Sequence, residues 1–205
     1  MASQLLTFLT PEQYLEIERK AEFKSEYYKG EMFAMAGARE AHNLISGSVF
    51  AELRQAFRSR SCRAYSNDMR VRVAPSGLYA YPDVVAVCGE PQVLDETRDT
   101  LLNPNLLVEV LSPSTEAYDR GLKFELYRSI ESLRDYLLVS AERVSAELFT
   151  RQPDGRWILS GATDLEDRIE LQSVGCTFRL ADIYEKVQFE RTASQTAPNS
   201  QPSNA

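Results

Sequence analysis

Two acidic side chains interrupt the two most apolar strand-like runs of this chain. Asp83 lies in the run YPDVVAVC at 81–88, and Glu109 lies in LLVEVL at 106–111. On a strand, side chains alternate between faces, so each acid is expected to share its face with apolar neighbours two residues away. A lone charge there is costly unless it is paired. One salt bridge per acid, or a strand end that reaches water, would explain either run alone. The two runs together favour a metal site at the rim of a sheet.

The segment after Glu109 predicts a turn and a returning helix. Pro113 ends the strand because proline cannot donate to a strand ladder, and Ser114 or Thr115 can cap a helix. Two stripes then recur at four-residue spacing, each as on one helix face: an apolar one (Leu122, Leu126, Ile130) and a polar one (Asp119, Lys123, Tyr127). On spacing alone, Lys123 makes an ordinary surface pair with Asp119, worth only about a few tenths of a kcal/mol. The alternative is that Lys123 reaches the acid at the strand end.

These motifs resemble, in their order, the Uma2 family of bacterial endonucleases. The resemblance rests on Tyr-Pro-Asp-Val-Val at 81–85, Leu-Val-Glu-Val-Leu-Ser-Pro-Ser-Thr at 107–115, Asp119, Lys123, Tyr127 and Tyr-Leu-Leu-Val at 136–139. It also includes Gly30-Glu31 and His42, and it extends from about residue 10 to about residue 185. The family is part of the PD-(D/E)XK restriction-endonuclease-like superfamily.

The resemblance implies an α/β (α+β) fold: a restriction-endonuclease-like mixed central sheet flanked by helices, preceded by an N-terminal helix and hairpin. It implies that Asp83 and Glu109 bind a divalent metal, Mg²⁺ or Mn²⁺. The superfamily has a lysine two residues after the strand glutamate, where this chain has Leu111. Lys123 is then the candidate for the catalytic amine, reaching the site from the following helix. Two further residues have two interpretations each: His42 and Glu31 line the site as the family suggests, or they are solvated.

Such a set of residues suits phosphodiester hydrolysis on general chemical grounds. Hard carboxylate oxygens bind Mg²⁺ or Mn²⁺, and Mg²⁺ needs only one or two protein carboxylates because it keeps several waters. A bound metal acidifies water and polarises the phosphoryl oxygen. A nearby ammonium orients the water or stabilises developing charge. Asp83, Glu109 and Lys123 provide one group for each need.

The composition indicates one globular domain. The chain has 205 residues, of which 43% are hydrophobic, and we expect a single domain over 1–190 and a disordered polar tail over 191–205. No run approaches the ~20 apolar residues of a membrane span, and the N-terminus lacks the features of a secretory signal. The three cysteines, at 62, 88 and 176, are odd in number and far apart, which argues against a zinc site and a disulfide framework. These features favour the cytoplasm.

The charge does not by itself favour nucleic-acid binding. The net charge is −7, whereas nucleic-acid-binding proteins commonly have a basic surface. One basic cluster between residues 54 and 72 holds six arginines, among them Arg70 and Arg72, and it could contact phosphates or simply be solvated. The resemblance implies a nucleic-acid partner, DNA, and a homodimer. Two other hypotheses fit an acidic protein: a non-catalytic binding module that kept the fold, and a metal-dependent hydrolase of a small phosphorylated substrate.

Periodicity and turn residues predict the remaining elements. We expect helices at 11–24, 40–59 and 181–187, a hairpin at 27–36, a polar loop at 90–104, and strands at 63–73, 78–87, 136–139, 146–150, 157–160 and 169–171. Pro-Asp-Gly at 153–155 predicts a hairpin turn between two of the last strands.

Overall fold

A computed structural model describes residues 8–189 of the chain. The helices are α1 (Pro11–Glu18), α2 (Glu40–Ala56), α3 (Glu116–Tyr118), α4 (Phe124–Tyr127) and α5 (Leu180–Ile183), with a π-helical turn at Asp119–Lys123 and a 3₁₀ turn at Gln172–Val174. The first strands are β1 (Ser25–Tyr28), β2 (Glu31–Ala34), β3 (Cys62–Ser66), β4 (Arg70–Val73), β5 (Leu78–Ala80), β6 (Val84–Cys88) and β7 (Thr100–Leu101). The later strands are β8 (Leu106–Leu111), β9 (Asp135–Ser140), β10 (Ala146–Arg151), β11 (Trp157–Ala162), β12 (Arg168–Leu171) and β13 (Cys176–Arg179).

These strands form three sheets. The largest has six strands in the order β11-β10-β9-β8-β6-β3, and the second has five in the order β2-β1-β5-β4-β7. The pair β12-β13 forms a small third sheet. The six-stranded sheet is mixed, because β8 and β9 run parallel while its other neighbours run antiparallel. The predicted mixed α+β architecture, with sheets flanked by helices and an N-terminal helix and hairpin, is confirmed.

One bent hairpin contributes strands to both large sheets. Its outer arms β3 and β6 pair in the six-stranded sheet, and its inner arms β4 and β5 pair in the five-stranded sheet. The predictions of unbroken strands at 63–73 and 78–87 were therefore wrong at residues 67–69 and 81–83, where the chain passes between sheets. Pro82 lies in the second break, since proline cannot donate to a ladder. The break matters because it carries Asp83.

Two apolar cores lie on opposite faces of the six-stranded sheet. One face packs against α2, whose buried residues Ile45, Val49 and Leu53 recur at four-residue spacing as predicted. The other face packs against the five-stranded sheet and the segment around α4, and it contains Leu107 and Leu111 of β8. Glu109 lies between these two leucines at two-residue spacing, so it shares their face of the sheet and projects toward the segment that holds Lys123.

The N-terminal helix and hairpin have clear local causes. Thr10 and Gln13 form a reciprocal capping box at the start of α1, and Pro11 occupies the first turn. The helix ends at Glu18, earlier than the predicted residue 24. Gly30 in the hairpin turn has φ +91° and lies against Phe8, so a side chain there would be both strained and obstructed.

The cysteine prediction needs correction. A disulfide joins Cys62 and Cys88, which face each other in the β3–β6 ladder. Their separation of 26 residues gave no sign of this, because the hairpin between them brings distant positions into register. Cys176 is free and buried.

Smaller differences complete the comparison with the sequence predictions. The polar loop at 90–104 contains the short strand β7, the last helix is only α5, and β13 was not predicted. The predicted tail at 191–205 lies outside the described residues. Within residues 8–189, no helix has the length and apolar character needed to cross a membrane.

Candidate active site

Glu109 is a buried carboxylate in the middle of a buried strand. All six residues of β8 are buried, and Glu109 itself is 4% exposed. Its Oε1 accepts a hydrogen bond from the Tyr127 hydroxyl at 3.0 Å and lies 2.9 Å from Lys123 Nζ. Both contacts use the same oxygen. A buried carboxylate with a fixed orientation and one oxygen free of these contacts is suited to binding a cation.

Lys123 occupies the centre of a cluster of acids. Besides Glu109, its Nζ lies 3.2 Å from Glu26 Oε1 and 3.5 Å from Asp119 Oδ1, and the lysine is 5% exposed. The interpretation of Lys123 as a surface residue paired with Asp119 is therefore wrong. The predicted alternative, that the lysine reaches the strand glutamate, is what the geometry shows.

The helix that carries Lys123 faces the sheet with its polar stripe. Asp119, Lys123 and Tyr127 are buried, whereas Leu122 is 41% exposed. The polar stripe is thus buried along its whole length, and the apolar stripe is not. The reason is that the facing strand presents Glu109, so the charged stripe obtains partners there that it would lack in water. A π-helical turn, a geometry often found at functional sites, ends at Lys123.

Asp83 lies in the break just before β6, beside Glu109. The antiparallel register pairs Val84 with Val108, so one step further places Asp83 opposite Glu109. The Val110 N–H donates to Asp83 Oδ2 at 2.7 Å. Asp83 is consequently held at the end of a strand, not within one as the sequence suggested, and it is half-buried.

His42 makes a second contact with Asp83. It lies in the first turn of α2, and its Nε2 is 3.2 Å from the same Oδ2 of Asp83. Its Nδ1 is buried and has no hydrogen-bond partner among the described residues. Burial lowers the pKa of His42, but the hydrogen bond to Asp83 and the charges of Asp83 and Asp119 outweigh burial and raise it overall. Of the two interpretations of His42, the geometry agrees with a residue lining the site.

The hairpin contributes Glu26 to this cluster, a residue that the sequence analysis missed. Glu26 lies on β1, is 8% exposed, and accepts a hydrogen bond from the Tyr81 N–H at 3.3 Å in addition to its contact with Lys123. Glu31, the predicted hairpin acid, is exposed at the start of β2. The one available signal was that Glu26 precedes Tyr28 by two residues and therefore shares with it one face of the strand, which an aromatic side chain marks as inward-facing.

The cluster carries more negative than positive charge. Burial raises the pKa of Glu109, with further contributions from Asp119, Asp83 and Glu26, while the Lys123 ammonium acts in the opposite direction. Burial likewise raises the pKa of Asp119. Burial lowers the pKa of Lys123, but Glu109 and its other neighbours outweigh it and raise that pKa well above the ordinary value. The lysine therefore stays charged, and the excess of carboxylates favours an added cation.

The arginines predicted to contact phosphate lie elsewhere. Arg70 is buried, and its guanidinium donates to the Tyr81 hydroxyl at 2.9 Å and to Thr100 Oγ1 at 3.3 Å. Arg72 is half-buried, with its guanidinium 5.8 Å from the centre of the Tyr79 ring. The structure does not bring either arginine to Lys123 and Glu109.

The donor set fits a hard divalent ion that keeps most of its waters. Within residues 8–189, no group of three or more His, Cys, Asp or Glu side chains is arranged as a complete metal cage. Mg²⁺ does not require one, since it is commonly bound through one or two carboxylates. Asp83 and Glu109 would supply two carboxylates side by side, in a cluster with excess negative charge. The residues therefore fit Mg²⁺ or Mn²⁺ better than a softer metal.

Comparison with known proteins identifies the family of the chain. The family model Uma2, described as "Putative restriction endonuclease", matches residues 11–181. The chain belongs to the Uma2 family. Two Synechocystis sp. proteins are similar along most of their length. The uncharacterized protein slr1290 is 37% identical over 181 residues, 88% of this chain and 94% of that protein. The uncharacterized protein sll1609 is 35% identical over 152 residues, 74% and 86% respectively.

A solved structure shows the same fold. It is a crystal structure of a protein from Anabaena variabilis, described as a "putative nuclease belonging to DUF820". The TM-score is 0.69, the sequence identity is 14%, and the match covers 86% of this chain and 97% of that one. At this identity the likeness shows the fold alone. The Uma2 chain thus has a nuclease-like fold, in which Asp83, Glu109 and Lys123 lie at one place.

Proposed function

We propose that this Uma2 protein is a metal-dependent endonuclease that hydrolyses phosphodiester bonds of nucleic acid, with DNA as the substrate. The observation that carries the proposal is the buried amine of Lys123 at 2.9 Å from Glu109, beside Asp83. The amine occupies the neighbourhood of the strand glutamate even though Leu111 replaces the superfamily lysine in sequence.

Asp83 and Glu109 would hold Mg²⁺ or Mn²⁺. The ion supplies Lewis acidity, which acidifies water and offsets negative charge on the phosphate. Tyr127 and Lys123 fix one oxygen of Glu109, and His42 and the Val110 N–H fix one oxygen of Asp83. The remaining oxygen of each carboxylate is the natural ligand atom. These contacts hold the carboxylates before the substrate arrives, so no reorganisation is needed during the reaction.

Lys123 would orient the attacking water or stabilise charge on the phosphate. An ammonium has three N–H donors, and three carboxylates now surround it. The contact with Asp119 is the longest, at 3.5 Å, so it is the one most easily exchanged for a water or a phosphate oxygen. Glu109 and Glu26 would meanwhile keep the ammonium in place.

Single-turnover cleavage tests the assignment. Plasmid and single-stranded oligonucleotides are incubated with Mg²⁺ or Mn²⁺ and the parent protein, Lys123→Met or Glu109→Gln. Each variant is expected to slow the chemical step by roughly two orders of magnitude or more, as loss of one preorganised electrostatic group commonly does. Lys20→Met and Glu125→Gln, which change exposed residues, are matched controls and should cleave like the parent. Circular dichroism gives the folded fraction used to normalise each rate.

Three outcomes decide between the hypotheses. Equal cleavage by the parent and Lys123→Met would remove the lysine from the mechanism. Metal binding without cleavage of any nucleic acid would favour a binding module that kept the fold. Hydrolysis limited to small phosphorylated compounds would favour the small-substrate hydrolase, a function that suits an acidic protein with a net charge of −7.

The proposal also includes the homodimer that the family resemblance implies.

A further inference from the structure

The outer strand of the six-stranded sheet is an uncharged edge. β11 is terminal in the sheet order and pairs with β10 along one side. Its sequence, WILSGA, contains no charged residue and no proline. Ile158 and Leu159 are each 54% exposed, although they project from opposite faces of the strand. Both the backbone edge and its flanking apolar side chains are therefore accessible.

The other edge strands in the described part of the chain have the usual protection. Natural sheets place charges on their edges or keep them short, which prevents pairing with other chains. β2 carries Glu31, β3 carries Arg63, and β7 has only two residues. Both strands of the small sheet contain charged residues. β11 is the exception, which indicates that its edge is covered in the working protein.

We propose that β11 pairs antiparallel with β11 of a second copy across a two-fold axis at Ser160. In this register Ser160 faces its own counterpart, and Leu159 faces Gly161, which leaves space for the leucine side chain. Arg156, just before the strand, faces Asp164, just after it. Arg156 is 81% exposed, and among the described residues its ion pair is a local one with Asp154. The antiparallel arrangement thus matches opposite charges at both ends of a neutral strand.

The chain itself is the partner that this surface fits best. An isologous contact needs a self-complementary patch. β11 fits this requirement, because the neutral strand is preceded by the positive Arg156 and followed, two residues after its end, by the negative Asp164. A six-residue strand contact buries on the order of 1,000 Å² in total, the size class of weak complexes. The dimer should therefore dissociate over a micromolar concentration range. The inference rests on the homodimer that is part of the proposed function, and it adds the interface. Its tests measure assembly and not cleavage, so its failure is distinguishable from a failure of the proposed activity.

Cysteine cross-linking tests the register. Ser160→Cys places two thiols opposite each other on the two-fold axis, within disulfide reach. We expect a covalent dimer after mild oxidation. Ile158→Cys is the matched control: position 158 faces position 162 of the other copy, so its two thiols are too far apart to join. The native cysteines should not interfere, since two are disulfide-bonded and Cys176 is buried.

Mass measurements test the interface without cross-linking. Analytical ultracentrifugation of the full chain at about 1 to 100 µM should show a monomer–dimer equilibrium that Leu159→Lys abolishes, whereas Leu122→Lys, at an exposed leucine away from β11, should not. Arg156→Asp should weaken the dimer, and adding Asp164→Arg should restore it. A monomer at every concentration would overturn the proposal, and so would equal cross-linking at positions 158 and 160. In either case another occupant, such as residues 190–205 or a different protein, covers the edge.

Discussion

Replacing Lys123 should destabilise the protein in a strongly pH-dependent way. Lys123→Met keeps most of the side-chain volume but removes the only ammonium that residues 8–189 place within contact distance of Glu109, Glu26 and Asp119. Breaking a buried ion pair by removing one partner commonly costs about 3–5 kcal/mol, because it leaves an uncompensated buried charge. The sequence-based interpretation of an exposed pair implied well under about 1 kcal/mol.

The pH dependence gives the magnitude independently. Without Lys123, the folded protein escapes an unpaired buried charge by keeping a proton on Glu109. The ordinary pKa of that carboxyl is 4.5, and each pH unit above it costs about 1.4 kcal/mol. For the variant this cost of protonation is at most about 3–4 kcal/mol at pH 7 and about 0.7 kcal/mol at pH 5. The parent bears part of the same cost, because burial raises the pKa of Glu109 there as well. The sign follows from the two pKa values of such a carboxyl. When its pKa is higher in the folded state than in the unfolded state, its contribution to the unfolding free energy is fully present below the unfolded pKa. That contribution is lost as the pH rises toward the folded pKa.

Urea unfolding between pH 5 and pH 8 in the presence of EDTA measures the effect. Because the Lys123 ammonium lowers the pKa of Glu109 against the effect of burial, its removal raises that pKa further. The loss of unfolding free energy in Lys123→Met relative to the parent should therefore be larger at pH 8 than at pH 5, by at most about 1.4 kcal/mol per pH unit. Adding Glu109→Gln to Lys123→Met should recover at least half of the loss at pH 7, because it removes the acid that needs the proton. Lys20→Met, at a lysine whose side chain is 73% exposed, should show no such dependence.

Two results would refute this reasoning. A loss below about 1 kcal/mol at pH 7 would show that the ammonium is not the partner the buried acids depend on. A large loss that is the same at pH 5 and pH 8 would mean that packing, not charge, causes it. Both results can be distinguished from a change in the unfolded state by comparing the slopes of the urea curves.

Three further predictions follow from the site and the fold. Mn²⁺ should raise the melting temperature of the parent by mass action, and Asp83→Asn should remove most of that rise; an unchanged response would exclude Asp83 as a ligand. Because the pKa of Glu109 is raised without metal, metal binding should release protons and strengthen with pH, as calorimetry in buffers of different ionisation enthalpy can show; a buffer-independent heat would contradict it. Replacing Cys62 and Cys88 together with serine should lower the unfolding free energy by about 2–4 kcal/mol. Urea unfolding checks this value, and no change would argue against the disulfide.

Much of the fold could be predicted from local patterns. The long helix α2 has an uninterrupted apolar stripe, and the strands β9 to β12 have short apolar runs separated by turn residues, so both were recognised close to their observed bounds. The bent hairpin was not recognised. The residues on either side of its breaks continue the same apolar pattern, and nothing in a periodic pattern shows that a strand changes sheets. The disulfide escaped prediction for the same reason, since Cys62 and Cys88 meet only because that hairpin folds back.

The site could be predicted only where a motif marked it. Asp83 and Glu109 are visible as acids in apolar runs, and the structure places them side by side. The spacing of Lys123 favoured a surface pair, because four-residue periodicity identifies two helix faces but does not say which one is buried. Glu26 had almost no signal, since its burial depends on a contact with Lys123 about a hundred residues away. Pairings of this kind depend on tertiary structure, which local propensities do not contain.

The ammonium near Glu109 comes from the π-helical turn and not from β8. The proposed chemistry would need an ammonium near the strand glutamate, and it would not need that ammonium to come from the strand. Leu111 lies on the same face of β8 as Glu109 and packs in the apolar core, so a lysine there would need its own buried partners. In the observed arrangement the amine comes from the π-helical turn and is held by Glu26 and Asp119 as well as Glu109. Glu26 and Asp119 are needed at this position, because a buried ammonium is costly unless carboxylates pair with it. The lysine and its two additional acids should therefore be treated as one unit in any mutational study of the site.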